Sequence, residues 1–331
     1  MAAEGTLLLG RGEVARLLSL PDCIAAVEEV FRAYGEGKVP APGVLGIKGE
    51  AGGLHIKAGY LPGQRSYLVA KLNTNYAGNR KHGDMSTIQG LILLCDGDNG
   101  QPLAVLDSIE ITIRRTAAAS AVAAKYLARP DSSVVTICGC GAQGRAQMRA
   151  LRTVLPLAKI FAFDLNPAAA QALADDMRAE LKVEAEAVGN LAGAIKQSDV
   201  CVTCTTATAF FVRQEDVAPG TFIAAVGADD VHKQEIEPAL IATSKVVADH
   251  LDQCCMIGDT HHAIAGGLMR KEDVYAELAE VVAGRKAGRT SASETIIFDS
   301  TGVAIEDAVA AVAVYEKACE TGAGSRFEFS V

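Results

Sequence analysis

The stretch from Ser132 to Asp164 constrains this chain more than any other. Val134 to Cys138 are β-branched or small and apolar, the composition of a strand buried on both faces. Gly139-Cys-Gly141-Ala-Gln-Gly144 follows, then a helical run, then the apolar segment Lys159-Ile-Phe-Ala-Phe163 and Asp164. This order predicts the first half of a dinucleotide-binding fold. Each glycine has its own task in such a loop: Gly139 permits the tight turn, Gly141 lets the backbone approach a pyrophosphate, and Gly144 lets the helix pack closely on the strand. The diphosphate would rest on the free amides at the start of the helix from Ala142, beside Gln143, where the helix dipole favours negative charge. A Gly-x-Gly-x-x-Gly hexamer alone also fits a purely structural turn. The flanking strands, and an acid twenty residues after Gly144, favour the cofactor. Asp164 is placed to take the ribose hydroxyls. Leu165, Asn166 and Pro167 follow it without a cation for a 2′-phosphate, which the carboxylate would also repel, so NAD is expected rather than NADP.

With 331 residues, half of them hydrophobic, the chain has room for one large or two ordinary domains with sizeable cores. A net charge of −9 argues against nucleic acid or an anionic membrane as the main partner. The nine cysteines form no paired clusters at metal spacing and fit the reduced core thiols of a cytosolic protein. Cys201 and Cys204 do make one Cys-x-x-Cys, but on a predicted strand they face opposite sides. Neither a secretory leader nor a membrane span is expected.

Taken in order, Ser19, Pro21 and Asp22 predict a helix start, Ile24, Val27, Phe31 and Tyr34 give it one apolar face, and Gly35 ends it. Alternating segments Leu54–Ala58, Tyr67–Leu72, Leu91–Leu94 and Pro102–Leu106 follow, the last two flanking a hairpin signal at Asp96–Gly100. The first hundred or so residues therefore read as a mostly antiparallel α+β unit. Asp107 and Glu110 open an Ala-rich helix expected to run to Arg129, before Pro130, and to bridge into the second domain. Beyond the Gly-rich loop, Asp199–Cys204, Thr221–Val226 and Lys245–Asp249 read as further parallel strands, and Thr295–Asp299 as the strand that closes the sheet. A last helix, Ile305–Glu320, is expected to bury Ile305, Val309, Val312 and Tyr315.

Lys71-Leu-Asn-Thr-Asn, Thr87-Ile-Gln-Gly, Arg114-Arg-Thr-Ala-Ala-Ala-Ser, the Gly139–Gly144 loop, Val226-Gly-Ala-Asp229 with Lys233, and Phe298-Asp-Ser-Thr-Gly302 occur in one order along nearly the whole chain. In these segments the chain resembles the ornithine cyclodeaminase / mu-crystallin family, whose members include cyclodeaminases, an archaeal type of alanine dehydrogenase and ketimine reductases. The resemblance implies an α/β fold: a Rossmann doubly wound parallel sheet over 116–304, and a discontinuous α+β domain, 1–115 with 305–331, for substrate binding and dimerisation. It implies a nicotinamide facing a pocket made largely by the other domain.

The resemblance makes Asp229 the catalytic acid/base beside the substrate amine. It lies past a strand end, where ligands collect in open α/β sheets. On spacing alone, Asp229 and Asp230 equally suit caps of a helix starting near Gln234. Lys71 ends a strand on the same face as Tyr67 and Val69, which is unusual unless the lysine is paired or edge-exposed; by resemblance it holds the substrate carboxylate or polarises the reacting group. Arg115 would sit near cofactor phosphate and substrate, with Arg114 solvated. Thr87, Ala142, Gln143, Lys233 and Ser300 match cofactor-lining positions, and Thr301 a substrate-side one. Thr205 matches a further cofactor position, for which Thr203 and Thr206 compete.

Two departures stand out. No arginine occurs in Pro40–Gly46, where family cyclodeaminases carry one for the substrate carboxylate, and His55-Ile-Lys57 replaces the ornithine enzyme's Glu. Lys57 can serve as a point-charge partner and His55 as a proton carrier; as residues sharing one strand face, both also suit solvent. Loss of the Glu weakens ornithine as ligand, which favours an NAD-dependent amino-acid dehydrogenase or ketimine reductase over ornithine cyclodeaminase. A non-catalytic ligand-binding protein is the alternative from another class. His261 and His262 near Asp249, Asp252 and Asp259 do not complete a ligand set, so no metal is expected.

Overall fold

The computed structural model describes residues 5–76, 78–79 and 86–329. Contacts divide the chain into two compact units, one running up to Arg115 and resuming at Val303, the other Thr116–Gly302.

The first unit opens with strand β1 (Thr6–Leu9) and helix α1 (Arg11–Leu17). Helix α2 (Leu20–Gly35) starts where Ser19 Oγ accepts the Asp22 amide at 3.2 Å, and it buries Ile24, Val27 and Phe31. Strands β2 (Gly43–Lys48), β3 (Gly53–Leu61), β4 (Tyr67–Asn75), β5 (Ile88–Asp96) and β6 (Pro102–Asp107) then pair antiparallel in succession. In the β5–β6 turn Asp96 Oδ1 accepts the Asp98 and Asn99 amides and Gly100 takes φ +79°, the chemistry read from Asp96–Gly100. Asp107 Oδ1 caps helix α3 (Ser108–Leu127) by accepting the Ile109 and Glu110 amides. The helix ends at Leu127 rather than at Arg129, and the boundary between the units falls inside it.

The second unit continues with β7 (Val134–Cys138), α4 (Ala142–Val154), β8 (Lys159–Phe163), α5 (Pro167–Leu181), β9 (Glu184–Ala187), α6 (Leu191–Lys196) and β10 (Val200–Thr203). It then forms β11 (Thr208–Val212), β12 (Phe222–Ala225), β13 (Gln234–Ile236), α7 (Pro238–Thr243), β14 (Lys245–Ala248), α8 (Leu251–Ile257), α9 (Asp259–Ala265), β15 (Ala276–Glu277), α10 (Leu278–Val282) and β16 (Ile296–Asp299). Eight strands make a parallel sheet in the order β15-β14-β16-β12-β10-β7-β8-β9. The order runs outward in both directions from β7, so this is a doubly wound Rossmann-type sheet with its switch point between β7 and β10. Its strands are nearly continuous apolar runs because helices cover both faces, and Cys138, Ile195, Cys201, Ile223, Ile241 and Ile297 share one core.

Two expectations are corrected here. β16 does not close the sheet: it lies between β12 and β14, all four of its residues are buried, and the two-residue β15 forms that edge. No helix starts near Gln234 either. That segment is β13, paired in parallel with β11, and the next helix begins at Pro238, whose ring suits a first turn.

The chain returns to the first unit in α11 (Ala304–Thr321) and β17 (Ser325–Phe327), completing a seven-stranded sheet ordered β17-β1-β6-β5-β4-β3-β2. Helix α11 packs on β3 and β4 with a wider buried face than the spacing predicted. Ile305, Ala308, Ala311, Val314 and Tyr315 are buried, whereas Val309 and Val312 are only half-buried. Small side chains permit the close approach: a Cβ on Gly59 of β3 would stand 3.8 Å from the Ala304 backbone.

Candidate active site

A buried ion cluster marks the first unit. Lys71 lies in the middle of β4, between β3 and β5, and is 3% exposed, so it neither ends its strand nor lines a solvated edge. Its Nζ pairs with Asp307 Oδ2 at 2.5 Å and reaches Thr112 Oγ1 at 3.4 Å. Arg115, 4% exposed, donates from Nε to Asp307 Oδ1 at 2.9 Å and from Nη1 to Glu306 Oε2 at 2.8 Å. Both acids sit in the first turn of α11, where the helix dipole favours negative charge. Register places Lys57 of β3 directly across from Lys71, a like-charge pair that would repel without a carboxylate close by. Burial outweighs the attraction of Asp307 and, with Arg115 and Lys57 adding to it, pushes the Lys71 ammonium down to about 7. Burial alone would raise Asp307, but Arg115, Lys71 and Lys57 together hold its carboxyl below the usual range. Three basic side chains thus gather about the two acids that open α11.

Arg114 departs from its expected solvation: its Nε bonds Glu110 at 2.7 Å and its Nη1 the Leu18 carbonyl. His55 and Lys57 share a face of β3, His55 exposed and Lys57 half-buried. Thr87 is half-buried just before β5, and its carbonyl accepts the Tyr76 amide at 2.9 Å. Sequence reasoning missed Asp307 and Glu306. Their signal was two acids opening the last helix, a pattern that surface caps also produce.

In the second unit the Gly-rich loop joins β7 to α4. Gly139 has φ +99°, and a Cβ there would lie 2.8 Å from the Cys204 carbonyl. A Cβ on Gly144 would lie 2.2 Å from the Gly139 carbonyl oxygen, so helix and loop pack closely. Over Gly141 the space is open, and α4 begins at Ala142 without a side-chain cap, its first-turn amides pointing out of the helix. Gln143 Nε2 is buried without a partner, while Gly144 is buried and Ala142 exposed. At the end of β8, Asp164 Oδ2 accepts the Cys140 amide at 2.8 Å and Oδ1 the Asn166 amide at 2.9 Å. Those bonds fix the carboxylate and leave each oxygen a further lone pair for a hydroxyl. Open backbone at a helix N-terminus and an anchored acid beside it fit a dinucleotide.

Asp229 follows β12 on a loop, is exposed, and forms an ion pair with Lys233. Asp230 closes a local turn, its Oδ1 accepting the His232 amide at 3.0 Å. Thr205 follows β10 and gives its amide to Glu235 Oε1 at 2.6 Å, whereas Thr203 is fully buried inside β10 and Thr206 is exposed. Ser300 and Thr301 follow β16, and both are buried with their hydroxyls turned onto Asp249, at 3.4 and 3.0 Å. Four carboxylates of this unit are buried: Asp249 just after β14, Asp299 at the end of β16, Glu235 within β13 and Asp259 at the start of α9. Burial pushes Glu235 and Asp259 up, and Asp299 to about 7. Their function was not legible in sequence, since isolated acids after strands also suit loops.

Burial keeps the thiols protonated. Burial raises the Cys23 and Cys140 thiols to about 12, and Cys204 and Cys254 also rise, so none of these is activated. His261 Nδ1 and His262 Nε2 bond the Cys255 and Lys233 carbonyls, and among the described residues no three His, Cys, Asp or Glu are grouped to hold a metal. Also among them, no helix is long and apolar enough to cross a membrane.

Three comparisons bear on this geometry. Alanine dehydrogenase of Archaeoglobus fulgidus is 38% identical over 327 residues, covering 98% of this chain and 98% of that protein. A solved archaeal alanine dehydrogenase dimer with bound NAD superposes with a TM-score of 0.94 at 38% identity, over 98% of this chain and 99% of that one. The Thermococcus litoralis Δ1-pyrroline-2-carboxylate reductase, solved with NADH and L-proline, gives 0.92 at 34% identity, over 97% and 100%. The sequence model described as the ornithine cyclodeaminase/mu-crystallin family matches residues 5–322, and the chain belongs to that family.

Proposed function

We propose that this chain is an NAD(H)-dependent oxidoreductase acting at the carbon beside a carboxylate, of the amino-acid dehydrogenase or ketimine reductase type. The observation that carries the reading is the buried cluster in which Asp307 and Glu306 hold Lys71 and Arg115, with Lys57 in register across from Lys71. Such an arrangement suits the carboxylate of a small amino or imino acid. Lys71 pairs with it as a point charge, and titrating near neutrality it can also donate or take a proton. Arg115 keeps Nη2 outside its bonds to the two acids.

Gly139, Gly141, Gly144 and the first-turn amides at Ala142 and Gln143 would hold the diphosphate, and Asp164 the ribose. Thr87, Arg115, Thr205, Lys233 and Ser300 are the further proposed cofactor contacts. Held there, NAD(H) would supply the hydride acceptor or donor for the α-carbon. Asp229 gives a proton to the imine nitrogen on reduction, or takes one from the ammonium or from attacking water on oxidation. Lys233, paired with it, restrains the loop. His55 and Lys57 border the carboxylate position and are proposed to set side-chain preference, with Thr301 on the substrate side.

The working form is proposed to be a homodimer. On the sheet face away from Lys71, Leu45, Ile47, Leu68, Leu72, Leu91 and Leu93 are exposed together, around an apolar hollow of about 320 Å³ lined by Ala58, Tyr60 and Ala70. An apolar face of this extent fits a second copy better than water. Leu91→Glu should shift the mass in solution from dimer to monomer; an unchanged mass would contradict it.

Incubation with NAD and L-ornithine tests the reaction type. A dehydrogenase or imine reductase forms no proline and ammonia under these conditions. Proline and ammonia appearing without net NADH would overturn the reading in favour of a cyclodeaminase.

A further inference from the structure

Strands β10 and β12 pair in register from Val200 with Phe222 to Thr203 with Ala225, and the ladder ends where the Val226 amide meets the Thr203 carbonyl at 2.9 Å. Two residues further, that register would bring Thr205 opposite Gly227, but there the two loops part. Glu235 stands at that place. Its Oε1 accepts the Thr205 amide at 2.6 Å and its Oε2 the Gly227 amide at 2.8 Å. The side chain is fully buried, and a Cβ on Gly227 would lie 2.4 Å from its Cδ, so the loop runs directly against the carboxylate. Glu235 is itself anchored, because Asp259 Oδ1 accepts its amide and that of Ile236 at 2.8 and 2.9 Å. Burying a carboxylate is costly, and packing alone is served as well by an apolar side chain. What only a carboxylate supplies is two acceptors aimed at two amides on separate loops.

We infer that Glu235 is a positioning residue that extends the β10–β12 pairing by one rung, clamping the Thr205 loop to the Gly227 loop and so setting the place of Asp229. The inference rests on the reading of Asp229 as the proton-transfer group. Fully buried, Glu235 acts through the two loops.

Glu235→Gln tests it, since a glutamine amide offers one acceptor and turns its NH2 toward one of the two N–H groups. Gly227→Ala displaces the same carboxylate from the other side. Hydrogen exchange should quicken about tenfold or more in segments 204–208 and 226–231 of both variants, and stay unchanged in β7. Turnover should fall by at least about tenfold with little change in the imine KM, and the Asp229→Asn/Glu235→Gln double variant should be no slower than Asp229→Asn alone. Unchanged exchange in both variants would overturn the clamp. Faster exchange with unchanged turnover would overturn the positioning role. If Asp229→Asn is itself fully active, the Asp229 reading fails, and the exchange result still decides the clamp.

Discussion

The Gly139–Asp164 segment and the Lys71–Arg115–Asp307 cluster carry equal weight in the proposed chemistry and are built in opposite ways. The first is contiguous and works through its backbone: a φ of +99° at Gly139, bare space at Gly141 and a contact at Gly144 that no side chain could share. The second is made of side chains whose partners lie 192 positions apart, as with Arg115 and Asp307. A backbone device leaves its signature in adjacent letters, because glycine is what the geometry demands. A buried charge cluster shows only its odd members, such as a lysine on an apolar strand face. The acids that make it tenable stay hidden.

Two substitutions can break this contrast. Asp307→Ala strands Lys71 in the core, leaves Arg115 only Glu306, and should lower unfolding free energy by about 3–5 kcal/mol in urea, while the folded protein loses less NADH affinity than Gly144→Ala does. An equal loss of NADH binding would mean that the two regions are not separate devices. Gly144→Ala should cost less, about 1–3 kcal/mol, because its new methyl meets the Gly139 carbonyl. It should weaken NADH binding in direct titration; unimpaired binding would remove the close contact from the cofactor argument.

The same contrast explains how far the residues alone could be read. Ser19 as a helix cap, the Asp96–Gly100 hairpin and the parallel strands around the Gly-rich loop were legible, since each depends on neighbours in sequence. The place of β16 was not, because three successive apolar residues, Ile296 to Phe298, fit any slot in a parallel sheet. Nor was β13, whose pairing with β11 and whose bonds to Asp259 come from distant segments. Among candidate site residues, Lys71 stood out by its strand face and Arg115 by resemblance, whereas their burial depends on Asp307 and Glu306. Arg114 looked like a surface residue until Glu110 and the Leu18 carbonyl took it up.

The proposed reaction itself turns on Asp229. The direct measurement compares wild type with Asp229→Asn for NADH binding, followed by fluorescence, and for NADH oxidation with pyruvate plus ammonia and with Δ1-pyrroline- and Δ1-piperideine-2-carboxylate. The account predicts that wild type oxidises NADH with at least one of these imino acids. It predicts that the variant binds NADH as tightly and turns over about 10²–10⁴-fold more slowly. A variant that turns over as fast as wild type would contradict it.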